Sequence, residues 1–236
     1  VTSLSVTCIE TRHYQRSAEA VQRTISCLPA GSVDCVYWFS NADFPVSLPG
    51  IEIIRIDTPC FTHFIDDINR LCLRIIPRVV TTDHTIVVQG DGFAVNGDAW
   101  DPSFLEYDYI GACWPCMWDG PHSIVGNGGF SLRSQRLLKA LREINARWQL
   151  SDWEGDPRLD QRDHYVLNPD KSLPEDILVC QWYRPQLEAD YGIKFCPVEL
   201  ANKFSVESIH PVTESWLGKS FGFHGVTAAP YYGVSL

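Results

Sequence analysis

Four places in the 236-residue sequence combine chemically active residue types with neighbours that let a ligand approach. The first is "VVQGDGF", where Asp91 stands between Gly90 and Gly92 at the end of an apolar run. An acid there is costly without a partner, and glycine on both sides admits a ligand close to the backbone. Mg2+ or Mn2+ is a suitable partner, because it takes oxygen ligands and often draws only one or two from protein, the rest from phosphate and water. The plain alternative is a turn, for which Asp-Gly is a common signal. The second place is "VGNGGFSLRS", with Asn127 among Gly126, Gly128 and Gly129. Helical spacing begins near Ser131, so free N–H groups there face either a ligand or a Ser131 cap.

The third is "KSLPEDILVC". Ser172 and Glu175 have the spacing of a capping box, with Pro174 just inside the helix. Asp176 has no such use, and Asp is a poor helix former. Its carboxylate is therefore the candidate general base for a hydroxyl proton, with Glu175 beside it. The fourth is "KSFGFHGV", where His224 sits among aromatic and glycine residues. A neutral imidazole can join Asp91 on a manganese ion, although isolated histidines are more often structural. "GDGFAVNG" lacks the spacing of a dinucleotide-binding glycine loop, and "NGDAWDP" cannot open a helix.

The elements that must position these residues follow from periodicity. "SLSVTCIE", "VDCVYWFS", "IEIIRID" and "HTIVVQGDG" read as strands. "YQRSAEAVQRTISCL" reads as a helix, as does "FIDDINRLCLRII" with Ile65, Ile68, Leu71 and Ile75 on one side. This alternation predicts an open α/β sheet with its ligand beyond the carboxyl ends of the strands. Further on, "YDYIGACW" and "IKFCPVE" read as strands. A helix is expected over 131–147 with Arg133, Arg136, Lys139 and Arg142 outward, and another from Pro174 to about Ala189. Residues 149–171 read as a long polar loop. The expected organisation is one domain over 1–236, its first 100 residues regular and the rest less so. A start at Val1 without a secretory pattern fits a piece excised from a longer protein.

Composition narrows the function classes. A formal charge of −10 argues against a nucleic-acid partner. No apolar run approaches the ~18 residues of a membrane span. Nine cysteines, an odd and scattered set, fit a reducing cytoplasmic compartment, and the lone Cys113-x-x-Cys116 is a weak zinc signal.

Taken together, "VVQGDGF", "YDYIGACW", "GNGGFSLRS", "PEDILVC", "YGIKFCPVELANKFSVE" and "SFGFHG" resemble the metal-dependent nucleotide-sugar glycosyltransferases of the GT-A fold. More narrowly, they are similar to a domain-of-unknown-function family of glycosyltransferase-like proteins, sometimes found within polysaccharide-assembly enzymes. The resemblance spans roughly residues 3–225. It implies a GT-A-like, Rossmann-type mixed sheet flanked by helices, with a nucleotide-sugar half and an irregular acceptor-side half. It further implies that Asp91 and His224 hold Mn2+ or Mg2+ and that Asp176 is the base of an inverting transfer. Gln89 stands where the wider fold carries its first metal acid.

On the same basis Thr7, Glu10 and Thr11 fall where the nucleotide is received, or are simply a strand end. Arg70 falls where a basic group reaches the donor, or on a solvated helix face. Gln89, Gly90 and Gly92 would border the donor, while Asn127, Gly128, Gly129 and Trp100 would shape the acceptor or sugar pocket. Trp100, Trp114 and Trp118 flank the expected cleft, although some tryptophans must serve the core. The activity expected is transfer of a sugar from a UDP-linked donor to a glycan hydroxyl, as a cytoplasmic enzyme or one module of a larger one. The alternative is a carbohydrate- or nucleotide-sugar-binding module without turnover. A two-metal nucleotidyltransferase or phosphodiesterase is disfavoured, because a second acid cluster is missing.

Overall fold

The computed structural model describes residues 2–114, 125–154 and 172–236. The apolar runs of the first half form four parallel strands: β1 (Leu4–Ile9), β2 (Val33–Ser40), β3 (Glu52–Asp57) and β4 (His84–Val88). With β6 (Tyr109–Ile110) and β7 (Ser131–Ser134) they make a six-stranded mixed sheet in the order 3-2-1-4-7-6. β7 runs antiparallel to β4, and β6 antiparallel to β7. A second sheet, order 5-9-8, joins β5 (Gly92–Ala94), β8 (Ser205–Val206) and β9 (Gly222–His224).

The core falls into three clusters, two of them separated by alternation along the strands. Val6, Cys8, Trp38 and Val88 pack in one cluster with Val21 of α1 (Tyr14–Ser26) and Phe93 and Phe223 of the small sheet. Ile9, Tyr37 and Phe39 pack in another with Leu71 and Ile76. The chain runs outward from β1 to β2 and β3, then returns through α2 (Phe64–Arg70), a π-helical turn (Leu71–Ile75) and α3 (Ile76–Val79) to place β4 on the other side of β1. Strand order therefore reverses between β1 and β4, and the crevice beyond their carboxyl ends is where such sheets take ligands. The wide turn shifts the helical phase, so Leu71, Cys72 and Leu73 are buried in succession, while Ile65, Ile68 and Ile75 stay partly exposed.

Several expectations for the second half are overturned. Residues 131–134 are a strand, and the helix α4 spans only Gln135–Ile144, with the Ser134 hydroxyl accepting from the Leu137 N–H at 3.1 Å. Arg133, expected outward, is fully buried in β7. "YDYIGACW" contributes only Tyr109 and Ile110 to the sheet, and in "IKFCPVE" Phe195 makes a single bridge to Tyr109 before a helix over Val198–Phe204. The helix after Pro174 comes in pieces: Glu175–Ile177, a π-helical turn at Leu178–Trp182, then Arg184–Tyr191. Most of the polar 149–171 segment lies outside the described residues, as do Cys116 and Trp118. The eight described cysteines are free thiols. Among the described residues no helix is long and apolar enough to cross a membrane.

Candidate active site

The crevice at the β1–β4 reversal is a cleft with two adjoining lobes of about 310 and 140 Å³, sharing Ile9, Phe64, Ile68 and Gln89. Glu10, Thr11, Arg12, Arg16, Gly90 and Asp91 line the larger lobe. Asn69, Gly128, Gly129, Glu175, Asp176 and His224 line the smaller one.

Asp91 stands three residues past the end of β4, and the chain then turns back as β5, whose pairing with β9 sets Gly92 opposite His224. That pairing brings residues 133 positions apart together: His224 Nε2 lies 3.8 Å from Asp91 Oδ1 and 3.4 Å from Gln89 Oε1. Glycines make room for the imidazole. A Cβ on Gly129 would sit 2.1 Å from Nε2, and one on Gly92 would sit 2.4 Å from Cδ2. On the other side of the ring, Nδ1 faces Glu207 Oε1 at 3.1 Å and Asn127 Nδ2 at 2.8 Å. Burial alone would lower the His224 pKa. The Glu207 hydrogen bond and the charges of Glu207, Asp91 and Asp176 outweigh it and hold the pKa above the usual histidine value. A carboxylate, an amide oxygen and an imidazole nitrogen thus converge on one spot. The 3.8 Å separation is less than twice the ~2.1 Å ligand distance of Mg2+, so Asp91 and His224 suit one small cation with room left for phosphate oxygens. Among the described residues no group of three or more His, Cys, Asp and Glu gathers to hold an ion without such help.

Asp176 sits on the first turn after Pro174, where its Oδ2 accepts the Gly128 N–H at 3.0 Å and its Oδ1 the Ile177 N–H at 2.8 Å. Burial and the neighbouring Glu175 carboxylate push its pKa up to about 7, with Glu207 adding to them and the two N–H groups opposing. A carboxylate poised near neutrality at a cleft wall is suited to taking a proton from a hydroxyl. Glu175 does not cap the helix, as its spacing from Ser172 suggested. Pro174 holds the cap position, Ser172 is fully buried, and Glu175 Oε1 pairs with Arg133 Nη2 at 2.8 Å inside the protein. Gly128 is required here, because a Cβ on it would lie 1.9 Å from Glu175 Oε1.

Other sequence-derived candidates are placed differently. Thr7 is fully buried in mid-strand with its hydroxyl 2.7 Å from that of Thr85, and it does not line the cleft. Arg70 lies on the exposed face of α2 paired with Asp67 at 3.2 Å, and it lines neither lobe. Trp100 packs on Phe104 and Phe221 in the core instead of flanking a pocket. Trp114 is buried, with its indole N–H on Glu207 Oε2 at 3.0 Å. Asn127 adopts a left-handed backbone (φ 64°) and supports His224 from behind without lining the cleft. Glu10 and Thr11 do line the larger lobe. Burial would raise the Glu10 pKa, but hydrogen bonds from the Ser17 hydroxyl and the His13 and Arg12 N–H groups hold it below the usual carboxylate value.

Four residues escaped the sequence reading. Arg12, in the bend before α1, and Arg16, in its first turn, bring positive charge to the larger lobe, Arg16 held by a hydrogen bond to the Gly90 carbonyl at 2.9 Å. Glu207 grips the His224 ring, and Asn69 is a buried wall of the smaller lobe. Only the two arginines carried a signal, an i, i+4 basic pair directly after the first strand.

Comparison with solved structures finds low-identity similarities. One is the crystal structure of a glycosyltransferase involved in the glycosylation of the major capsid of PBCV-1, 12% identical over 96% of this chain and 97% of that one, with a TM-score of 0.49. Another is the apo-form glycosyltransferase GlyE of Streptococcus pneumoniae TIGR4, 16% identical over 85% of this chain and 46% of that one, with a TM-score of 0.44. No curated protein matches the chain. The model of the family described as "Protein of unknown function (DUF5672)" matches residues 50–224, a span that holds Asp91, Asp176, Glu207 and His224. The chain belongs to that family.

Proposed function

We propose that the protein is a metal-dependent glycosyltransferase that moves a sugar from a nucleoside-diphosphate donor, UDP-linked, to a hydroxyl of a glycan acceptor with inversion. The observation that carries this reading is the shared lobe of Asp176 and His224, with Asp91 3.8 Å from the imidazole at the junction with a larger, arginine-bearing lobe. A lobe with both apolar and charged walls beside a strand-order reversal suits the nucleotide, and the smaller lobe suits the sugar. Asp91 and His224, with the Gln89 amide oxygen nearby, would hold Mn2+ or Mg2+. When bound, that ion neutralises the charge growing on the leaving diphosphate. Arg12 and Arg16 add positive charge on the same side. Asp176 accepts the proton of the attacking hydroxyl. The hydroxyl oxygen forms the new bond to the anomeric carbon on the face opposite the diphosphate, as the bond to the diphosphate breaks.

Turnover of UDP-sugars with Mn2+, with EDTA, and with Asp176→Asn tests this. The expected outcome is loss of activity in EDTA and a fall of about 10²–10⁴-fold in the variant. Full activity of Asp176→Asn, or retention of anomeric configuration, would remove the mechanism. One observation favours a binding module without turnover, namely Gln89 in place of an acid beside Asp91. Calorimetry separates the two, because a module of that kind binds glycan or nucleotide sugar and leaves it intact.

A further inference from the structure

The smaller lobe is bordered by two buried oxygen acceptors that nothing in the described protein satisfies. Asn69 is fully buried on α2, and its Nδ2 donates to the Leu173 carbonyl at 2.8 Å. That bond fixes the amide orientation, since a carbonyl needs a donor, and it leaves Oδ1 as the free end. Oδ1 has no hydrogen-bond partner among the described residues. Glu175 is 5% exposed; Arg133 takes its Oε1, and its Oε2 is likewise without a partner. Both residues line the 140 Å³ lobe. Two unpaired acceptors on residues that line one small lobe make donor groups on a ligand favourable there.

The chemistry of that ligand follows from what the two atoms lack. Each is an acceptor, so the ligand presents O–H or N–H groups. The same lobe has an apolar wall of Ile9, Phe64, Ile65, Ile68 and Val87. The lobe, of about 140 Å³, has room for a sugar ring. A pyranose has that shape, with an apolar C–H face and a rim of hydroxyls. The lobe is continuous with the larger one through Gln89 and Phe64, so a ring attached to a diphosphate at Asp91 enters it. We propose that Asn69 and Glu175 form a hydroxyl-reading subsite for the donor sugar and decide which sugar is accepted. This rests on the glycosyl-transfer reading above.

Calorimetry with Mn2+ tests it, first with UDP, UDP-glucose, UDP-galactose and UDP-N-acetylglucosamine, then with monodeoxy forms of the tightest binder. The sugar should tighten binding over UDP, and at least one monodeoxy form should lose about tenfold or more. Asn69→Ala and Asn69→Leu should abolish that discrimination while leaving the affinity for UDP unchanged. Glu175→Gln is a second variant that keeps one oxygen for Arg133, and it should alter the discrimination at a neighbouring hydroxyl. A flat profile across the monodeoxy forms, with UDP-sugar still bound, would show that the two oxygens are met by water, and the subsite would fall while the function stands. If UDP fails to bind but free monosaccharides at millimolar concentration show the same profile, the subsite stands and the nucleotide donor falls. If neither binds, both fall.

Discussion

At Asp176 the surroundings favour the neutral acid. Its folded pKa of about 7 lies above the ~3.9 of an unfolded aspartate, so the folded state binds more protons in the interval between them. The contribution of Asp176 to stability therefore falls as pH rises from about 4 to 7, by at most ~1.4 kcal/mol per unit, and stays at the lower level above that. Asp176→Asn removes the penalty. The variant should unfold at a higher urea concentration than the parent at pH 8, and the gap should shrink on acidification until it vanishes near pH 4. A gap independent of pH would show that the carboxylate carries no such penalty. On the mechanism proposed above the same substitution removes the proton acceptor, so the variant should be more stable and less active, a combination expected where stability is given up for activity.

At the level of elements, β7 matters more than its four residues suggest. "SLRSQRLLKALREI" has helical spacing from end to end, and the sequence pattern hides the strand because Ser131–Ser134 keeps the phase of the helix that follows. Arg133 consequently reads as an outward helical residue, yet it is fully buried on β7, between β4 and the edge strand β6. Its Nε donates to Ser131 Oγ at 3.1 Å and its Nη2 to Gly128 O at 3.3 Å, while Nη2 also meets Glu175. The Gly128 peptide is thereby tied at its carbonyl by β7, while its N–H points to Asp176. A buried pair of this kind adds little net stability when intact, but removing one partner strands the other, at ~3–5 kcal/mol. Arg133→Met should show that loss in urea unfolding, and Arg133→Met/Glu175→Met should recover much of it. Equal stability of the single and double variants would mean that the ion pair is not what β7 contributes.

What the sequence disclosed and what it hid divide along the same line. Strands β1 to β4 are apolar runs bounded by turn residues, and α1 shows a clear stripe, so both were legible. The positions of Asp91, Asp176 and His224 were marked by glycines and by a helix start. The supporting residues were not. Glu207 lies in "SVESIH" and Asn69 in "DDINRL", where nothing local distinguishes a polar group that supports the cleft from a solvated one. Thr7, Arg70 and Trp100 fail as cleft residues for the converse reason. Strand direction, helix phase and aromatic packing, none visible in a motif, turn them away.

Across the whole molecule, the cleft is held by segments far apart in the chain. Asp91 leaves the parallel sheet, His224 arrives on β9 near the chain's end, and the small sheet is what closes one on the other. A ligand bridging them therefore stabilises the folded state by mass action, about 2.7 kcal/mol at a hundredfold excess over its dissociation constant. The His224 pKa is raised, so its own contribution to stability is present below the unfolded value near 6.5 and is lost as pH rises through the folded value. On the metal-dependent reading proposed above, the cation would need the neutral ring, so proton and metal would compete for the same nitrogen. Under Mn2+ and UDP the rise in melting temperature should thus be large at pH 8.5 and small at pH 6. His224→Ala should reduce it at pH 8.5 to the level that UDP produces with EDTA. A rise in the variant as large as in the parent would mean that the closing strand contributes no ligand, and that Asp91 works with partners outside the cleft wall described above.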